Sequence, residues 1–133
     1  MRIDHGVVFN RKYIAFLKQL NLYLNHFPSH EKYALSQAIR RDAYAVFDLM
    51  VEGQKKYHKK TSLTNLDIQL EQLKSKIFLA HELGYFRFKD GKNDTKNPSE
   101  LEYKRFAILS SHTDEIGKMV GGWIKKVKEE QKW

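Results

Sequence analysis

The residues best suited to chemistry in this sequence are lysines, which gather in two segments that contain no acidic residue. Residues 53–64 hold Lys55, Lys56, Lys59 and Lys60 together with His58. Residues 118–128 hold Lys118, Lys125, Lys126 and Lys128. These eight lysines equal in number the net charge of +8 that the chain of 133 residues carries. Such segments attract phosphate groups or acidic protein surfaces, so the chemistry predicted from them is the binding of polyanions.

Residue patterns of known enzymes and metal sites are missing from the sequence. No Glu is followed by His at the third position, as the di-iron sites of four-helix bundles require. His81 and Glu82 do not continue into a zinc-protease motif, because Tyr85 stands where the second His is needed. Glycine-rich phosphate loops and serines in glycine elbows are also missing. We therefore predict a protein that is not an enzyme and that uses neither a metal nor a cofactor.

The amino-acid composition also bears on the cellular compartment of the protein. Cysteine is absent, which excludes disulfides and thiolate zinc sites and permits an intracellular setting. No stretch approaches the 18 apolar residues of a membrane-spanning helix, and residues 1–10 lack the apolar core of a signal peptide. We expect a soluble, cytoplasmic protein that does not enter a membrane.

The elements that must position the lysines are helical, because apolar residues recur every three or four positions along most of the chain. This spacing predicts helices at about residues 10–27, 30–57, 63–84 and 99–128 within a single domain spanning residues 1–133. With only 2 Pro and 7 Gly, long helices are favoured over a turn-rich β architecture. Three of the four helices are joined by short turns, so the predicted fold is all-α, an up-down-up-down antiparallel four-helix bundle.

Capping residues mark the predicted helix ends. Ser29 is expected to cap the second helix, and Gly84 to end the third with its permissive backbone. Ser99 and Glu102 have the spacing of a capping box for the fourth. Residues 85–98 between them are polar and long for a bundle connection, which predicts a mobile or protruding loop with a short hairpin around Asp90 and Gly91.

Three positions depart from a plain core pattern. Asp42 falls where the second helix needs an apolar residue, next to Arg41, which favours an interhelical ion pair or a bundle edge over a functional carboxylate. Tyr57 and Trp123 lie among the lysines but fit the core rows. Packing in the core is the favoured interpretation for both, and stacking on nucleic-acid bases is the alternative.

Other residues point to close helix contacts. Gly117 and Gly121 are four positions apart on the last helix, where glycine costs about 1 kcal/mol relative to alanine. Close helix approach, within the bundle or between subunits, is the expected reason. Phe9, Phe16 and Tyr23 widen the apolar face of the first helix and favour a subunit interface.

In such a bundle, the end of the second helix, the start of the third and the end of the fourth lie at one pole. The two lysine segments should therefore converge there, with Arg11 and Lys12 close by. We call this end of the bundle the basic pole, and predict that it contacts phosphates without sequence preference. The predicted contacts are Lys55, Lys56, Lys59, Lys60, Lys125, Lys126, Lys128, Arg11 and Lys12.

Several short runs resemble a known family. They are FPSHEKYAL at 27–35, QAIRR at 37–41, Glu52 with Gly53, Leu66 with Asp67, and LGY at 83–85. Over about residues 10–127 the chain resembles the four-helix-bundle family that includes the accessory variability determinants of diversity-generating retroelements and the proteins encoded by 23S rRNA intervening sequences. The run IGKMVGGWIK at 116–125 is similar to the accessory determinants in particular. The intervening-sequence proteins tend to have small residues and a proline after the paired arginines, where this chain has DAYAV at 42–46. That departure, together with the Gly-Gly-Trp ending, favours the accessory determinants.

The resemblance implies a homopentameric barrel of four-helix bundles. It also implies a non-catalytic partner of a reverse transcriptase, which associates with RNA and DNA while a template repeat is copied mutagenically into a variable one. Arg40 and Arg41 match the family's paired arginines and are expected to face the polymerase or RNA, or to form ion pairs between subunits. The alternatives are an RNA-associated protein of the intervening-sequence type and a protein-only interaction adaptor.

Overall fold

The computed structural model describes residues 5–31, 33–92 and 97–133 and is all-helical over these residues. Its four α-helices are α1 (His5–Leu24), α2 (Leu35–Lys55), α3 (Lys60–Glu82) and α4 (Pro98–Gln131), and a 3-10 turn at Ser29–Glu31 precedes α2. The helices pack in a ring, in which α1 and α3 each contact α2 and α4. This confirms the predicted all-α class and is the arrangement of a four-helix bundle. Lys32 and residues 93–96 of the predicted loop lie outside the described residues.

Aromatic residues of α1 fill the core of the chain itself. Phe9, Phe16 and Tyr23 are all buried within the single chain, so the prediction that they indicate a subunit interface is wrong. Tyr13 is fully buried beside them, and its hydroxyl donates a hydrogen bond to the Ala43 carbonyl of α2. Burial raises the pKa of Tyr13 far above that of a free tyrosine, and the nearby Asp42 carboxylate adds to the effect. The wide apolar face of α1 is thus used against two neighbouring helices.

Asp42 lies between α2 and α3, where its carboxylate is 2.5 Å from Lys76 Nζ. The Asp42 side chain is 14% exposed and that of Lys76 is 34% exposed. A partly desolvated carboxylate needs such a partner, because burial without one is costly. The predicted interhelical ion pair is therefore confirmed, and it accounts for Asp42 without a catalytic role.

The start of α2 differs from the prediction. The helix begins at Leu35 and not near His30, and Ser29 opens the 3-10 turn instead of capping α2. Glu31 ties this junction together, since its Oε2 accepts a hydrogen bond from Leu35 N at 3.0 Å and its Oε1 accepts one from the Tyr85 hydroxyl at 2.7 Å. These two donors lower the pKa of Glu31. The Glu31 carboxylate, and not the Ser29 hydroxyl, thus accepts a hydrogen bond from the first amide of α2.

The start of α4 is also capped differently. Asn97 is the N-cap, accepting a hydrogen bond from Ser99 N at 2.8 Å, and Pro98 occupies the first turn. Glu102 does not reach back to Ser99, because it turns inward and is only 4% exposed. Its carboxylate lies 3.3 Å from His81 Nδ1 of α3, and burial raises its pKa. The predicted capping box is wrong.

Residues 84–90 turn back onto the bundle. Gly84 ends α3 with φ of +77°, and its amide and that of Tyr85 bond the carbonyls of His81 and Ala80, which confirms Gly84 as the cap. Phe86 then enters the core and is fully buried. The prediction of a mobile or protruding loop is therefore wrong for this part of it. At Asp90 and Gly91 the chain makes a tight turn, and no strand is described on either side of it.

Arg105 of α4 binds residues 85–90, which we call the 85–90 segment. Its guanidinium donates hydrogen bonds to the carbonyls of Phe86 at 2.8 Å and Phe88 at 2.5 Å, and it lies 3.4 Å from an Asp90 carboxylate oxygen. The same guanidinium lies 3.8 Å from the centre of the Phe88 ring. Arg105 is only 4% exposed, so four interactions are concentrated on one buried cation.

The close helix approach occurs at Gly53 of α2 and not at the two glycines of α4 for which it was predicted. Gly53 of α2 is buried, and a Cβ there would lie 2.8 Å from Trp123 Cη2 and 3.2 Å from Leu63 Cδ2. Around Gly117 and Gly121, by contrast, no described atom beyond the adjoining turns of α4 lies within 4 Å of an added Cβ. Close approach within the chain is therefore wrong for those two glycines, and only a contact between subunits remains as the expected reason for them.

Gly53→Ala is expected to destabilise the protein by about 1 kcal/mol, because overpacking costs about 1–3 kcal/mol and the better helix propensity of alanine returns up to about 1 kcal/mol. Gly122→Ala is the matched control, since this residue also lies in a helix with open space around it and is not one of the two glycines expected at a subunit contact; it should stabilise the chain by about 0.5–1 kcal/mol. Urea unfolding of both variants at one protein concentration measures the difference. Shifts of the same sign would contradict the assignment of Gly53 as the close contact.

Candidate nucleic-acid interface

The basic pole forms because α4 is bound to the turn between α2 and α3. The side-chain amide of Gln131 donates a hydrogen bond to the Tyr57 carbonyl at 2.5 Å and accepts one from Lys59 N at 3.1 Å. These two bonds join residues that are more than 70 positions apart and place residues 55–60 and 125–128 at one end of the bundle, whereas Lys118 lies about 10 Å back along α4 from Lys125. The predicted convergence is confirmed as geometry. Gln131, which fixes it, was not found from the sequence, since a lone glutamine carries no recognisable signal.

Most of the predicted phosphate contacts are exposed at this pole. Lys55 and Lys60 flank the turn, and Lys56 lies 3.8 Å from Glu52 in a pair that is about half exposed. A pair of this kind is weak enough to leave Lys56 available. On α4, Lys125, Lys126 and Lys128 are exposed and form no ion pair with another described residue. Six cations are thus presented together for anionic ligands.

Lys59 has a different role from its neighbours. Its ammonium group donates hydrogen bonds to the carbonyls of Gly53 at 2.5 Å and Lys56 at 2.6 Å, which lie at the end of α2. A cation at this position satisfies orphan carbonyls and opposes the negative end of the helix dipole. We therefore correct the prediction for Lys59, which caps α2 and is not a free phosphate contact.

Arg11 and Lys12 of α1, both predicted to contact phosphates, differ in their surroundings. Arg11 is exposed next to Asn10, whose side chain accepts a hydrogen bond from Gln54 near the end of α2, so Arg11 lies close to the basic pole. Lys12 forms an ion pair with Glu115 of α4. Because Glu115 precedes Lys125 by ten residues, this pair lies about 15 Å back along the helix. The side chain of Lys12 thus pairs with α4, and its phosphate contact stays a prediction.

A cleft of about 590 Å³ opens beside the lysines, between α1, the end of α2 and α4. Its apolar part is formed by Phe9, Met119 and Trp123, with the rings of Phe9 and Trp123 meeting edge to face at 5.8 Å. Lys55, Lys59 and Lys126 line it as cations, and Glu130 is its acidic residue. The core interpretation of Trp123 is therefore right only in part, because the indole is half-buried and borders the cleft.

Tyr57 does not belong to the core. It lies beyond the end of α2, in the turn that Gln131 binds, and is 81% exposed. The predicted core position assumed that α2 continues to residue 57, whereas the helix ends at Lys55. The core interpretation of Tyr57 is wrong, which leaves stacking as the surviving alternative.

The paired arginines lie away from the basic pole. Arg40 donates hydrogen bonds to Asn21 at 3.3 Å and Asn25 at 2.6 Å, so it holds the end of α1 against α2. Arg41 is exposed and is available to a partner. Arg40 is thus used in a contact within the chain, whereas Arg41 remains exposed on the surface.

The described residues contain neither a metal-ligating cluster nor a membrane-spanning helix. No group of three or more His, Asp or Glu residues among them could hold a metal ion. Of the helices described, none combines the length and the apolar composition needed to cross a bilayer. The acidic groups with shifted pKa values, Glu31, Glu102 and Glu115, take part in contacts between helices or with the 85–90 segment.

Comparison with known proteins gives the family. A family model described as bAvd-like matches residues 7–127, which is most of the chain. The chain belongs to the bAvd-like family. The resemblance to accessory variability determinants is thereby confirmed, and bAvd-like membership supports an accessory protein of the retroelement and suggests a non-catalytic role. Neither a curated protein nor a solved structure matches the chain in the other two comparisons.

Proposed function

We propose that this bAvd-like protein binds RNA and DNA through its basic pole while acting as a non-catalytic partner of the retroelement's reverse transcriptase in the cytoplasm. The observation that carries the proposal is the convergence of two acid-free lysine segments, held together by Gln131. Contacts between lysines and phosphates do not read bases, so the binding is sequence-nonspecific. Its purpose is to hold template RNA and newly made DNA close to the polymerase during mutagenic copying.

A homopentameric barrel, as the resemblance implies, is part of the proposal. The outer faces of α3 and α4 support self-association, since Phe78 and Tyr103 are 52% and 70% exposed and Phe106 packs against Phe78. Gly117 and Gly121 leave open space on the same helix, into which a neighbouring helix fits. Assembly would also multiply the basic pole, so that one strand of nucleic acid contacts several copies.

Salt dependence tests the nucleic-acid part of the proposal. If about five phosphates are neutralised, affinity for a structured RNA should fall roughly hundredfold between 50 and 200 mM salt. Fluorescence anisotropy at five salt concentrations measures this slope. Failure to bind RNA at low salt would remove the nucleic-acid role and favour the protein-only adaptor.

The assembly and the partner are tested on the same preparation. Light scattering should give five times the 15.8 kDa mass of one chain. Reverse transcriptase encoded beside the gene should co-purify with the protein after nuclease treatment, which removes any bridging RNA. A monomer in solution would contradict the pentamer, and loss of the enzyme after nuclease treatment would contradict a direct contact.

A further inference from the structure

Tyr57 is an aromatic side chain that the fold does not use. It is 81% exposed in the turn between α2 and α3, and its ring contact is with the edge of the neighbouring His58, whose ring centre lies 4.8 Å away. The hydroxyl forms no hydrogen bond with a described residue. Nothing in the packing of the chain therefore explains an exposed aromatic ring at this position.

The turn that carries Tyr57 is fixed on both sides. Gln131 binds the carbonyl of Tyr57 itself and the amide of Lys59. Lys59 Nζ binds the carbonyls of Gly53 and Lys56 just before it. Because the backbone is already ordered, a ligand that stacks on the ring need only fix its side-chain torsions.

The turn that carries the ring is positively charged, and Glu129 and Glu130 of α4 precede the Gln131 that binds it. Lys55, Lys56 and Lys60 are exposed within three residues of Tyr57, and residues 53–64 contain no acid. Aromatic rings between phosphate-binding cations are the arrangement by which proteins hold single-stranded nucleic acid, since bases stack on the rings while the cations follow the backbone. A duplex cannot use such a ring, because its base faces are already stacked on one another.

We propose that Tyr57 stacks on an unpaired base and gives the basic pole a preference for single-stranded over duplex nucleic acid. The inference rests on the proposed function, because it requires that the pole binds nucleic acid. It adds a second contact of a different kind, aromatic and independent of salt. During template copying, this preference directs the protein to the unpaired parts of the template RNA or of the new DNA strand.

The test compares Tyr57→Ala and Tyr57→Phe on a 20-nucleotide single-stranded RNA and on the duplex of the same sequence. The alanine variant should lose roughly ten- to hundredfold in affinity for the single strand and less than twofold for the duplex. The phenylalanine variant should bind as the wild type does, because stacking needs the ring and not the hydroxyl. The slope of affinity against salt should be the same in all three proteins, since no phosphate contact is removed.

Tyr33→Ala is the matched control, since Tyr33 is 83% exposed and lies beyond the other end of α2. It should leave both affinities unchanged. Equal losses for single strand and duplex in Tyr57→Ala, or no loss at all, would overturn the stacking assignment and leave the proposed function standing. Wild-type protein that binds neither probe would refute both. A poly-glutamate peptide that binds with the same dependence on Tyr57 would identify the partner as protein and also overturn the inference.

Discussion

Replacing Lys55, Lys56 and Lys60 together by glutamate is expected to lower the affinity for RNA about hundredfold at 100 mM salt. Each of these lysines is exposed at the basic pole, and each phosphate contact that is lost removes a released counterion from the binding equilibrium. The slope of affinity against salt should become shallower by about two to three in logarithmic units. Helix content by circular dichroism should stay that of the wild type, because none of the three side chains is buried.

Lys59 is left out of this variant on structural grounds. Its side chain closes the end of α2, so a glutamate there would place a negative charge against the carbonyls of Gly53 and Lys56. A variant that included it would lose stability together with binding. The other three lysines can be exchanged without touching a contact inside the bundle, apart from the exposed pair of Lys56 with Glu52.

A matched control has the same change in net charge at other positions. Lys18, Lys92 and Lys104 are all exposed, and none forms an ion pair with another described residue. Their triple replacement by glutamate should reduce RNA affinity less than tenfold. Equal losses in the two triple variants would mean that net charge alone attracts RNA, and the basic pole would not be the binding surface.

Arg105→Ala is expected to have the largest effect on stability, lowering the free energy of unfolding by about 3 kcal/mol. The change removes hydrogen bonds to the carbonyls of Phe86 and Phe88 and the contact with Asp90, all from a residue that is 4% exposed. Since domains of this size are stable by about 5–15 kcal/mol, the loss is a substantial fraction of the total. The melting temperature should fall by about 10 °C.

Two further variants show that this effect belongs to the guanidinium. Arg87→Ala in the same segment should change stability by no more than about 0.5 kcal/mol, because Arg87 is 56% exposed and lies 4.0 Å from Glu102. Arg105→Lys keeps the charge but cannot make the forked contacts, so most of the loss should remain. Full stability of Arg105→Ala would mean that burial of Phe86 alone holds the 85–90 segment.

Several features of the fold could be predicted because they follow from repetition along the chain. The three-and-four spacing of apolar residues found the four helices and their order, and the order brought the two lysine segments to one pole. The end of α3 was also predictable, since Gly84 tolerates the left-handed backbone that its cap requires. Each of these depends on neighbours in sequence.

Other features depend on contacts between residues that are far apart in the sequence. The spacing of apolar residues gives no information about such contacts. Lys59 is of the same type as its neighbours, and only the position of the carbonyls at the end of α2 distinguishes it. Phe86 and Phe88 lie in a short polar stretch, and Arg105, 17 to 19 positions away, decides that this stretch packs inward. Tyr57 was misplaced because the core row was extended past Lys55, where the helix has already ended.

The two hydrogen bonds of the Gln131 side chain also determine when the basic pole can form during protein synthesis. Tyr57 and Lys59 leave the ribosome 74 and 72 residues before their partner. At the usual rate of translation this is a delay of roughly 4 to 15 s, whereas helices form within microseconds. For those seconds the lysines of the turn are present in the nascent chain but the turn is not held in place. The basic pole is therefore among the last parts of this bundle to be completed, and it acquires its fixed shape only once residue 131 has emerged.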